Sequence, residues 1–175
     1  MNARPVRSLC LLGGESSGKT TLAVALAEQL GTVWVPEYGR ARWEEIGGVL
    51  SVAELIRVGQ VQVEHEEQYA ARATGWLICD TSALTTLVYC ELDHGCAPAE
   101  LVQLARRPYD LIVLCEPDFD FVQDGCRRDA GFTSAQHLRA VELLQDYGLP
   151  FVRVSGSVAQ RLRQLQPYLA EAVAA

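Results

Sequence analysis

One stretch constrains this chain more than any other: Gly13-Gly14-Glu15-Ser16-Ser17-Gly18-Lys19-Thr20. It follows an apolar run at residues 6–12 and opens a helical run at residues 21–30. That is the order of a strand, a phosphate-binding loop and a helix. Gly13 and Gly18 are needed because successive backbone N–H groups must turn inward around phosphate oxygens without a Cβ in the way. Gly14, Glu15, Ser16 and Ser17 supply the loop between them. Lys19 is placed to reach the outer phosphates of a nucleoside triphosphate, and the Thr20 hydroxyl to hold Mg²⁺. Thr21 begins the helix, whose positive N-terminal end faces the same anion. A glycine-rich turn with no ligand would not explain both flanking elements in this order.

The rest of the chain alternates in the same way. Gly31 stops the first helix, and Val33-Trp34-Val35 reads as a second strand ended by Pro36. Helices are expected at about 41–47 and from 51 to about 72, the latter with Ser51 and Glu54 in capping-box spacing. A third strand at 76–79 ends in Asp80-Thr81, and helical stretches follow at about 82–92 and 98–106. A fourth strand spans 111–115, and a polar, glycine-containing segment rich in Asp and Arg runs over about 117–133. A helix at 134–147, a fifth strand at 151–154, a Ser155-Gly156-Ser157 turn and a helix at 158–174 interrupted by Pro167 complete the chain. The alternation predicts a three-layer α/β/α fold around a five-stranded parallel sheet. The expected strand order is 2-3-1-4-5, with residues 1–175 in one domain and the polar segment as a lid.

Length and charge narrow the function. A chain of 175 residues is long enough to bury a sizeable core. Its net charge is −7 and it has no long Lys/Arg run, so neither nucleic acid nor a membrane surface is expected as partner. No apolar run approaches the length of a membrane span. The cysteines at 10, 79, 90, 96, 115 and 126 form no CxxC pair and read as buried small hydrophobes. Cytoplasmic location is the expectation.

Ligands of such sheets gather at the carboxyl ends of strands. Asp80, ending the third strand, is placed to hold Mg²⁺; its other reading is a cap on the next helix. Glu37, ending the second strand, is placed to position an acceptor hydroxyl and take its proton, or else is a solvated loop residue. Tyr38 and Arg40 could contact the acceptor by ring packing and charge; Trp43 could add an aromatic wall, with a core-facing position as its leading reading. In the polar segment, Arg127 and Arg128 would bring positive charge to a transferring phosphate, with Asp124 orienting an arginine. The alternative is an exposed loop paired with itself. Ser155, after the fifth strand, is a positional candidate for packing a nucleotide base. Gln60 and Glu64, one helical turn apart, could reach an acceptor or form a solvent-facing pair, the leading reading; His65, His94 and His137 read as surface residues.

Several of these segments together are similar to one family. Gly14 to Thr21, Pro36-Glu37-Tyr38-Gly39-Arg40, Cys79-Asp80-Thr81, Tyr109-Asp110-Leu111 and Asp124-Gly125-Cys126-Arg127 resemble the kinase domain of NadR-type proteins. The resemblance implies an ATP-dependent kinase that phosphorylates nicotinamide riboside to its mononucleotide. It implies Lys19 and Thr20 on the phosphates and metal, Asp80 at Mg²⁺, and Glu37 or Asp80 near the acceptor 5′-hydroxyl. The expected cofactors are therefore ATP and Mg²⁺, and the expected partner a nucleoside-like small molecule. Phe121 stands where a larger aromatic residue is expected in that family, and the arginine at the lid is doubled. The chain starts directly at the first strand, so adenylylation of the product is expected of another protein. The alternatives are another nucleoside kinase, or an ATPase or nucleotide switch acting on a protein partner.

Overall fold

A strand covered on both faces reads as an unbroken apolar run, and three of these runs become buried strands. In a computed structural model, which describes residues 6–118 and 129–170, five strands form one sheet. They are β1 (Arg7–Leu12), β2 (Trp34–Val35), β3 (Trp76–Asp80), β4 (Leu111–Cys115) and β5 (Val152–Val154). Their order is β2-β3-β1-β4-β5 and every pairing is parallel, as the sequence predicts. Parallel neighbours require crossovers, which helices provide. These helices are α1 (Lys19–Leu30), α2 (Tyr38–Ile46), α3 (Val52–Ala70), α4 (Ala83–His94), α5 (Ala99–Ala105), α6 (Ala130–Asp146) and α7 (Val158–Ala170).

Strand parity divides the core into two layers. Cys10, Leu12, Leu77, Cys79, Ile112 and Leu114 face one way, into a cluster with residues of α3, α4, α5 and α6. Leu9, Leu11, Trp76, Ile78, Val113 and Cys115 face the other way, against α1 and α7. Side chains alternate with period two along a strand, so Asp80 shares the parity of Trp76 and Ile78. It therefore turns toward α1. Cys10, Cys79, Cys90 and Cys115 are buried as expected, but Cys96, just past the end of α4, is exposed.

Several boundaries differ from the sequence reading. Helix α2 begins at Tyr38, three residues before the expected start. Gln62 of α3 accepts the Tyr38 N–H at 3.0 Å, satisfying an amide that local sequence leaves open. Helix α6 begins at Ala130, where Asp129 caps it by accepting the Phe132 N–H at 2.9 Å. The expected lid therefore loses its last residues to a cap and a helical turn. Helix α7 runs through Pro167 without a break. Arg161, Leu165 and Leu169 bury its inner stripe, while Pro167 faces outward. The carbonyl left unpaired by the proline thus lies on the solvent side, where water can serve it. The Ser51–Glu54 capping box forms as the spacing suggests.

Candidate functional site

The loop between β1 and α1 is shaped by what surrounds it. Gly13 has φ 139°, and a Cβ there would lie 2.5 Å from the Cys115 carbonyl oxygen. A Cβ on Gly14 would meet the Thr133 carbonyl oxygen at 2.7 Å. The loop is thus wedged between the end of β4 and the first turn of α6, which only glycine permits at both positions. Gly18 caps α1 with φ 78° and no side-chain bond, and no acidic residue occupies the first turn. The first amides of α1 are left for an anion. Lys19 Nζ donates to the Gly13 and Gly14 carbonyls at 3.0 and 2.8 Å, bridging the mouth of the loop.

Asp80 meets α1 as its parity requires. The Thr20 hydroxyl donates to Asp80 Oδ2 at 2.6 Å. Asp80 Oδ1 is buried with no partner among the described residues, as are Ser16 Oγ and Ser17 Oγ. The helix that follows is capped by Ser82, whose hydroxyl accepts the Leu84 N–H at 3.2 Å, so Asp80 is spared that task. Burial raises the Asp80 carboxyl above its ordinary value, against the opposing pull of Lys19 and the Thr20 hydroxyl. A hard divalent cation is bound by oxygen donors. A hydroxyl beside a carboxylate with one buried, unpaired oxygen fits Mg²⁺. Thr81, next along, holds φ 72°, a strained conformation for a β-branched residue, and its N–H extends the ladder to the Leu11 carbonyl.

Across the cleft lies Glu37 at the head of α2. Its carboxylate makes no hydrogen bond to any described residue and does not cap the helix, whose first N–H is accepted by Gln62. Burial pushes its pKa up from 4.5 to about 7, opposed chiefly by Lys19 and reinforced by Asp80. The cleft wall joins the loop from Glu15 to Thr21 with Glu37, Arg40, Trp43, Gln62, Tyr89 and Gln136.

The sequence candidates separate at this point. Glu15, Ser16, Ser17, Gly18, Lys19, Thr20, Thr21, Glu37 and Arg40 all line one cleft. Arg40 is exposed and pairs with Glu44 at 3.4 Å. Tyr38 turns away: its ring meets His65 edge-on at 5.5 Å and packs against the core. Trp43, read as a core residue, instead lines the cleft. Both amide and carbonyl of Ser155 are taken by Gln164, at 3.1 and 2.9 Å. Gln60 and Glu64 bond to Glu100 and Arg57 along the outer side of α3. His137 is buried rather than on the surface, its Nε2 3.4 Å from Glu116, and burial lowers its pKa. Asp124, Arg127 and Arg128 lie outside the described residues.

Four contributors escaped the sequence reading. Tyr89 of α4 donates to Glu15 Oε1 at 2.6 Å, holding that side chain. Gln136 of α6 accepts the Glu15 N–H at 2.8 Å. Gln62 of α3 accepts the first N–H of α2. Arg161, 1% exposed, donates to the carbonyls of Ser17, Gly156 and Glu116 at 2.6, 2.9 and 3.0 Å and pairs with Asp118. It fastens α7 to the back of the phosphate loop. Its signal in the sequence was an arginine in register with the apolar stripe of Leu165 and Leu169.

A family described as "AAA domain" matches residues 8–161. The chain belongs to this family. It is also 31% identical over 159 residues to the "Trifunctional NAD biosynthesis/regulator protein NadR" of Escherichia coli (strain K12). That match takes in 85% of this chain but only 38% of the relative. Among solved structures, a NadR protein in complex with NR superposes with a TM-score of 0.70 at 24% identity, over 87% of this chain and 46% of that one. A thymidylate kinase from Candida albicans gives 0.69 at 15% identity, covering 95% of this chain and 92% of the other. At these identities the structures speak for the fold alone, a parallel sheet covered by helices. Among the described residues, no helix of this family member is long and apolar enough to cross a membrane.

Proposed function

We propose that this chain transfers the terminal phosphoryl group of ATP to the 5′-hydroxyl of nicotinamide riboside, forming nicotinamide mononucleotide in NAD salvage. One observation carries the reading: the Glu37 carboxylate, free of hydrogen bonds among the described residues, shares a cleft with Lys19 and the start of α1. The sequence similarity to NadR supports the acceptor.

Phosphoryl transfer passes through a loose transition state, so the protein contributes mainly position and charge. The backbone amides at Gly18 to Thr20 cradle the triphosphate, and Lys19 exchanges the Gly13 and Gly14 carbonyls for phosphate oxygens. Thr20 and Asp80 would hold Mg²⁺, which when bound neutralises charge developing on the phosphates. Glu37, poised near neutrality, orients the acceptor hydroxyl and takes up its proton. Trp43 gives the acceptor ring an aromatic surface.

The test uses purified protein, Mg·ATP and a panel of ribonucleosides and deoxyribonucleosides, with ADP release as readout. Release that depends on nicotinamide riboside is expected. Acceptor-independent release would point to an ATPase or switch, and turnover confined to deoxynucleosides would sink the nicotinamide reading.

A further inference from the structure

Gln62 lines the cleft with only 2% of its surface exposed. Its Oε1 accepts the Tyr38 N–H. A backbone N–H can only donate, so the orientation of the amide is settled: oxygen toward α2, nitrogen the other way. Nε2 is buried and finds no acceptor among the described residues. A buried donor left unpaired is unfavourable. The surrounding wall has little to offer it. Leu55 and Val58 precede Gln62 on the same face of α3 and line the cleft with it, as does Trp43 from α2.

The charge of the cleft decides which kind of oxygen would complete the pair. Glu15, Glu37 and Asp93 all stand on the cleft wall, while its two cations among the described residues are engaged: Lys19 with the Gly13 and Gly14 carbonyls, Arg40 with Glu44. A carboxylate drawn in beside Gln62 would lose its hydration and face like charges, with one neutral donor in return. A neutral carbonyl needs only the hydrogen bond that Nε2 can give.

We propose that Gln62 is a specificity-determining residue, donating from Nε2 to a neutral carbonyl oxygen on the acceptor ring and so selecting a carboxamide-bearing ring over its carboxylate. The inference rests on the proposed pyridine-nucleoside acceptor and adds which of its atoms is recognised, and by which side chain.

The experiment compares kcat/KM for nicotinamide riboside, nicotinic acid riboside and pyridine riboside, the last lacking the carbonyl. The wild type, Gln62→Glu and Gln62→Leu are assayed at a pH high enough to ionise the introduced carboxyl. Gln62→Glu keeps an acceptor for the Tyr38 N–H and removes the donor. Gln62→Leu removes both, and its melting temperature reports the structural share. The wild type should favour the carboxamide over both analogues by about tenfold or more, because only the carboxamide satisfies the donor. In Gln62→Glu that preference should collapse, mainly through the acceptor KM, with the KM for ATP kept. Equal wild-type turnover of nicotinamide riboside and pyridine riboside overturns the proposal, as does a preference that survives in both variants. If the wild type phosphorylates other nucleosides but no pyridine nucleoside, the proposed acceptor class fails and this inference fails with it.

Discussion

The two sides of the cleft are made of different materials. The loop side, which the proposed function gives to the phosphoryl donor, is largely backbone: the loop amides, the first turn of α1, and the carbonyls that hold Lys19. The rest of the cleft, which the proposed function gives to the acceptor, is made of side chains from separate helices, with Trp43 on α2, Gln62 on α3, Tyr89 on α4 and Gln136 on α6. Glu37 stands at the head of α2 between the two. A backbone site needs glycines in a fixed local order, so consecutive residues announce it. A side-chain site exists only once distant helices have packed.

If this division is right, substitutions on the two sides fail differently. The largest effect is expected from Lys19→Ala, which should lower kcat by about a thousandfold through lost transition-state charge stabilisation. Its melting temperature should stay near the wild type, since Lys19 touches only loop carbonyls and no core. Near-normal turnover by a folded variant would remove the donor loop from the chemistry. Arg161→Ala should act through structure, costing about 3 kcal/mol by leaving Asp118 and three carbonyls without their buried partner. Chemical denaturation would measure it, and weaker ATP binding should accompany the loss. An unchanged midpoint would mean the loop does not lean on α7.

Glu37→Gln should lower kcat by about a hundredfold while the KM for ATP barely moves. Equal weakening of ATP binding with unchanged transfer would move Glu37 to the donor side. The pH profile sharpens the same point. Glu37 is raised to about 7, so it is protonated below that value and ionised above it. Wild-type kcat/KM should climb with pH through about 7, and Glu37→Gln should lose that limb. The smallest effect is expected of Trp43→Ala, which should raise the acceptor KM by about tenfold with the KM for ATP unchanged. A shift in the KM for ATP instead would contradict the placement of Trp43 on the acceptor side.

How far the sequence could be read follows the same division. The loop, the strand order and Asp80 were legible because glycine spacing, apolar runs and strand ends are local facts. Strand parity even fixes the direction of Asp80 once the end of β3 is known. For Trp43 the sequence leaves a core position and an aromatic wall both open, and only the packed helices place it in the cleft while Tyr38 packs on His65. His137 looked like a surface residue because nothing local records that α6 presses its first turns against the loop at Gly14. Tyr89 and Gln136 carry no motif at all; their roles come from tertiary hydrogen bonds to Glu15. Arg161 was the one missed residue with a usable sign, a charge standing where the helix stripe calls for an apolar residue.

The central claim is that the two sides meet on one phosphoryl group. ³¹P NMR of the protein with Mg·ATP and nicotinamide riboside follows that group directly. The account predicts one nicotinamide mononucleotide for each ADP, with no inorganic phosphate above background. ADP accompanied by an equal amount of inorganic phosphate, whether or not the riboside is present, would contradict it.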